Sequence, residues 1–137
     1  MNESPFLKHR NILLNASYST AMSLQSFVLS LYNGADHKFA ASSLSNFDPQ
    51  HMAIFVEMAT WYNRYTESDP DFMRVCEEMI KQRQQYARQN LAELNRLLAM
   101  DPNTYSRDGE TGPSVHRWAV SDCQKIYEHH KAGGWIE

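Results

Sequence analysis

Six histidines and two cysteines are the side chains of this chain best able to hold a metal or attack an electrophile. His116, Cys123 and His130 recur at steps of seven, which puts them on one face of a helix. Each step rises about 10.5 Å along a helix, whereas a zinc–ligand bond spans about 2.0–2.3 Å. These three cannot share one ion without ligands from elsewhere, such as His9, His51 or Glu57. His129 and His130 are neighbours and point about 100° apart on a helix. Neither Glu-x-x-His nor His-Glu-x-x-His occurs, so the helical di-iron and zinc-protease patterns are missing. Histidines near a helix C-terminus are also simply favoured by the dipole. The expectation is no metal, no cofactor and no catalytic residue. An unrecognised enzyme or metal protein would use His116, Cys123, His129 or His130.

Other chemistries have less support. There is no Gly-x-Ser-x-Gly, and Asp122 beside Cys123 would not favour a thiolate. No P-loop and no Gly-x-Gly-x-x-Gly is present, and five glycines leave little material for phosphate-cradling loops. A basic candidate does exist. Arg74, Lys81 and Arg88 are spaced by seven, with Arg83, Gln84, Gln85, Gln89 and Asn95 nearby. Lysine and arginine can neutralise phosphates, and amides can read base edges. A solvated helix face has the same composition, and the whole chain carries a net charge of −3.

These residues must be positioned by helices. The 137 residues suffice for one domain with its own core. Valine and isoleucine are scarce and the strong periodicities are helical, so the chain reads as all-α. The expectation is a single helical domain over 1–137, a bundle of four main helices at about 5–32, 49–65, 70–100 and 114–131. Residues 101–113 read as an exposed, mobile loop, with Asp108-Gly109 and Gly112-Pro113 as turn signals, and 132–137 as a short tail. The start does not have the pattern of a signal peptide, and no stretch approaches the ~20 apolar residues of a membrane span. Two cysteines within helices and outside any CxxC suit a reduced cytoplasmic protein.

The third helix is the longest. Asp69 caps it and Pro70 opens it; acids come early (Asp71, Glu77, Glu78) and bases late (Lys81, Arg83, Arg88, Arg96), as the dipole favours. Met73, Cys76, Ile80, Ala87, Leu94 and Leu97 fit a heptad in which Arg83 and Asn90 also fall on the seam. Lys81–Asn90 holds only Tyr86 and Ala87 as apolar residues, so its middle should be wet. Either this is one amphipathic helix of a bundle, or Met73, Ile80, Ala87, Leu94 and Leu97 pair with a second copy. The second helix, opened by Asp48-Pro49, is apolar nearly all round and should be central. Its lone acid, Glu57, should be at a solvent edge or paired. Ser4-Pro5 starts the first helical stretch, which reads as one helix or as two with a break near Asn15–Ser17. Asn33-Gly34 ends it, with Gly34 left-handed. Ser114 caps the last helix, and Gly133-Gly134 ends it.

Phe27-Val28-Leu29-Ser30-Leu31-Tyr32-Asn33-Gly34, followed by Phe39, Leu44 and Phe47-Asp48, resembles the core motif of a family of small uncharacterised proteins of bacteria and their mobile elements. The resemblance covers residues 27–59. Ser30 and Ser45 stand where that family commonly has a large apolar residue. It has no known activity, so the resemblance implies a bacterial origin and no catalytic residue.

The functional expectation is a small cytoplasmic, non-enzymatic interaction or regulatory protein that self-associates through 70–100 or binds another protein. The alternative is nucleic-acid binding along Arg74, Lys81, Arg83 and Arg88. No membrane partner is expected.

Overall fold

The structure, a computed structural model, describes residues 3–136. It is all-α, as expected. Its helices are α1 (Pro5–Lys8), α2 (Arg10–Asn15), α3 (Ser19–Tyr32), α4 (Pro49–Tyr65), α5 (Pro70–Ala99) and α6 (Pro113–Ala132). A tight hairpin of β1 (Ser106–Arg107) and β2 (Glu110–Thr111) pairs Ser106 with Thr111 and Arg107 with Glu110. Where the sequence reads as one domain, the chain groups into two compact units, Met1–Gln82 and Arg83–Glu137. The boundary falls in the polar stretch of α5. There Lys81, Gln84, Gln85, Tyr86, Arg88 and Gln89 are exposed and Ala87 is the buried residue. Too little apolar surface is present at that point to nucleate a core.

The first unit begins with a break in its first helical stretch. Gln25 donates from Nε2 to the carbonyls of Ile12 at 3.0 Å and Ala16 at 2.8 Å. A side chain thus takes acceptors near the point where α2 stops. A second break, at His9, separates α1 from α2. α3 ends on Asn33, whose side-chain oxygen accepts from the backbone of Ala35 at 3.1 Å and Asp36 at 3.2 Å. That Asx turn replaces the left-handed glycine expected at Gly34; the glycines with positive φ are 109, 112 and 134. Phe39 and Phe47 flank a 3₁₀ turn at Ala41–Asn46, and both pack against the core.

The core of this unit joins Phe6, Leu13, Leu24, Phe27, Val28, Leu29, Ile54, Met58, Phe72, Val75, Cys76 and Met79. The inward spacing of 72, 75, 76 and 79 is that of one helix face. α4 is less central than its composition suggests. It buries Ile54 and Met58 and leaves Met52 and Val56 exposed. Gln50, Glu57, Thr60, Asn63 and Arg64 hold its outer side in water.

Asp69 begins α5 and does more than cap it. Its Oδ1 accepts from the Asp71 backbone at 2.9 Å, while Oδ2 accepts from Ser4 Oγ at 2.7 Å and Trp61 Nε1 at 2.9 Å. Ser4 therefore makes no capping bond to its own helix.

In the second unit, Asp108 and Gly109 both have positive φ, 53° and 81°. This is the backbone of a two-residue hairpin turn, and Asp-Gly supplies it at low strain. α6 starts at Pro113, one residue before the expected cap at Ser114. Gly112, with φ 128°, occupies the N-cap. Val115, His116, Ala119 and His130 of α6 are buried, as are Ala87, Leu94 and Leu97 of α5. His116 donates from Nε2 to the Leu97 carbonyl at 2.7 Å.

Removing the Asp69 carboxylate leaves a buried hydroxyl and an indole N–H without an acceptor. Asp69→Ala should lower unfolding free energy by about 3 kcal/mol, and Asp69→Asn by less. Denaturant titration checks this, and a loss below about 0.5 kcal/mol for the alanine variant would refute the assignment.

Candidate functional site

The residues expected to form a dimer seam are used inside the chain. Ala87, Leu94 and Leu97 are buried, and Met73 and Ile80 pack against the core of the first unit. The polar seam positions are satisfied locally too. Asn90 donates to the Cys123 carbonyl at 3.0 Å, and the Arg83 guanidinium lies 4.7 Å from the Trp135 ring centroid. Most of the seam's apolar surface is therefore used within the chain, with Met73 and Ile80 half-buried.

The basic stripe is also incomplete. Arg83 is withdrawn against Trp135, and burial pulls its pKa down to about 10. Arg74 lies 3.6 Å from Asp71. Lys81 and Arg88 are exposed, too few to track a phosphate backbone.

The C-terminal histidines and cysteine do not converge. His116 is tied to Leu97, and His130 stacks on Trp135 with centroids 4.5 Å apart. Burial raises the Cys123 thiol, and Glu93 adds to it. Burial raises the Cys76 thiol further. Among the described residues no group of three His, Cys, Asp or Glu side chains is placed to hold a metal. No helix among them is long and apolar enough to cross a membrane.

Two constellations in the first unit escaped the sequence reading. His51 donates from Nδ1 to Asp48 at 2.8 Å, and its Nε2 meets the Tyr18 hydroxyl at 2.9 Å. Asp48 also accepts from the His51 backbone, the main reason its carboxyl stays below the usual range. This chain of bonds fastens the start of α3 to the start of α4. The second is a cleft of about 720 Å³ bordered by Lys8, Glu57, Trp61, Arg64 and Tyr65. Its central charge is already matched: Glu57 accepts from Lys8 at 3.2 Å and His9 at 2.8 Å. As expected, this lone acid of α4 is paired.

The second unit holds a different kind of surface. A groove of about 590 Å³ has Leu98, His116 and Val120 in its lining, with Arg117, Ser121, Gln124, Lys125 and Glu128 around them. Leu98 is 61% exposed. At 100° per residue, 117, 121, 124 and 128 fall within about 60° of one another, in one stripe along α6. Arg117 reaches only Ser114, at 3.4 Å, and Glu128 meets only Gln124, at 3.3 Å. Neither has an ion-pair partner among the described residues. Trp118 and Ile126 are exposed but do not line the groove.

No family model matches the chain, and no curated protein or solved structure matches it either.

His130 gives a pH test of the second unit. Burial, and then the neighbouring His129, lower its pKa below 6.5. The unfolded chain therefore binds the proton first, so stability is full above about pH 6.5 and declines as pH falls below it. His130→Gln should remove this decline between pH 7 and pH 5. Parallel stability curves for the two proteins across that window would contradict the assignment. The thiols give a second test: native protein should react with a thiol reagent slowly at Cys123 and, at Cys76, only after unfolding. Rapid native labelling of Cys76 would contradict its burial.

Proposed function

We propose that this chain is a small, non-enzymatic interaction protein of the cytoplasm whose binding surface is the α6 groove of the second unit. The observation that carries this is Leu98, 61% exposed beside Val120 in a shallow groove whose rim charges Arg117 and Glu128 form no ion pair among the described residues. A large aliphatic side chain left in water contributes little to the fold, and a small apolar spot ringed by polar side chains has the arrangement of a protein interface on a small scale. The paired state of Glu57, the raised thiols and the scattered histidines weigh against catalysis. Nucleic acid is less well supported, because Arg83 is withdrawn and Arg74 faces an acid. Free Cys76 and Cys123 support a reducing compartment, and the resemblance over 27–59 supports a bacterial origin.

The test separates a binding residue from a folding residue. Leu98→Ser should leave unfolding free energy within about 0.5 kcal/mol of the parent, as surface substitutions do. It should also reduce binding of an apolar fluorescent probe to the native protein. A loss above about 1 kcal/mol, or probe binding that is absent or unchanged, would count against the groove as a binding surface.

A further inference from the structure

We propose that the occupant of the α6 groove is α6 of a second copy, lying antiparallel across it. The proposal rests on the groove being a binding surface and names what binds there. α6 spans Pro113–Ala132, so its midpoint lies between Asp122 and Cys123. An antiparallel copy centred there overlaps the helix along its whole length, about 30 Å. That one placement sets Arg117 opposite Glu128 of the other copy, and does so twice by symmetry. It sets Ser121 opposite Gln124, a hydroxyl opposite an amide that can bond it. Leu98 lines the same groove.

The charges have no better partner at hand. Arg117 and Glu128 form no ion pair among the described residues, while Asp122 on the same helix is taken by Arg107 at 3.1 Å. An antiparallel copy brings the matching opposite charge to both.

Such a pair, held by rim charges around a small apolar strip, should be weak and sensitive to salt. The test is light scattering on full-length protein across concentration at low salt, with circular dichroism as the check on folding. The parent should reach twice 15.9 kDa at high concentration. Arg117→Glu and Glu128→Arg should each weaken self-association roughly tenfold or more, by setting like charges opposite one another. Neither should unfold α6, since both residues are exposed. The Arg117→Glu/Glu128→Arg double variant should dimerise again. An equimolar mixture of the two single variants should form a heterodimer although neither dimerises alone.

A parent that stays at 15.9 kDa up to about 0.5 mM would overturn the second copy as occupant. The groove reading would still stand if Leu98→Ser abolished probe binding. A dimer indifferent to both reversals, or single variants that fail to combine on mixing, would overturn the antiparallel arrangement.

Discussion

The Asp69 carboxylate is the constraint on which the first unit depends. It is 7% exposed and accepts from a hydroxyl, an indole and a backbone amide. Each donor belongs to a different element: the residue before α1, the last turns of α4 and the first turn of α5. A carboxylate taken out of water is tolerated only when donors replace its hydration, so the three elements must meet there together. Once they do, the rest follows from helical phase. The cap fixes where α5 begins, which turns Phe72, Val75, Cys76 and Met79 inward. Ser4 brings Phe6 onto Phe72, with ring centroids 4.7 Å apart. Tyr62 reaches the same ring at 5.3 Å and donates to the Leu31 carbonyl at 3.1 Å.

The second unit solves its polar problem differently. The α5 seam contains an arginine and an asparagine where a coiled coil would want apolar residues. Both are satisfied by the chain itself. Asn90 takes a carbonyl of α6, and Arg83 lies over the ring of Trp135, which also stacks on the buried His130 ring and meets His129 edge-on. A seam interrupted in this way suits a unique intramolecular packing better than a repeating intermolecular one. The tail therefore has a defined role: Trp135 sits between a guanidinium and an imidazole.

Local chemistry was legible in the sequence; contacts distant along the chain were not. The all-α class, the ends of α5 and the start of α4 follow from capping acids before proline and from helical spacing. The exposed positions of α4 were missed because composition counts apolar residues without saying which face is covered. The partners of Asp69 were missed for a related reason. Ser4 reads as an N-cap by every local rule, and only a contact across 65 residues shows its hydroxyl turned elsewhere. Tyr18, His51 and Asp48 are likewise unremarkable until α3 and α4 are placed. The groove was hidden in the same way. Leu98 belongs to an apolar pattern on α5, and nothing local shows that this leucine faces water while Leu97 is 1% exposed.

The two longest helices place their charges differently, and the contrast bears on what α6 is for. α5 carries Asp71, Glu77 and Glu78 early and Arg96 late, the order that the backbone dipole rewards in an isolated helix. α6 follows that rule at its very end, where His129, His130 and Lys131 lie in the last turn. The stripe from Arg117 to Glu128 lies inside the end turns, where the dipole has little hold. Either charge alone would be unremarkable. What gives them weight is that they share one stripe, flank an exposed leucine, and stand symmetrically about the midpoint of their helix. A charge pattern that the dipole does not account for within one helix is self-complementary between two antiparallel helices, and that is what supports the second setting.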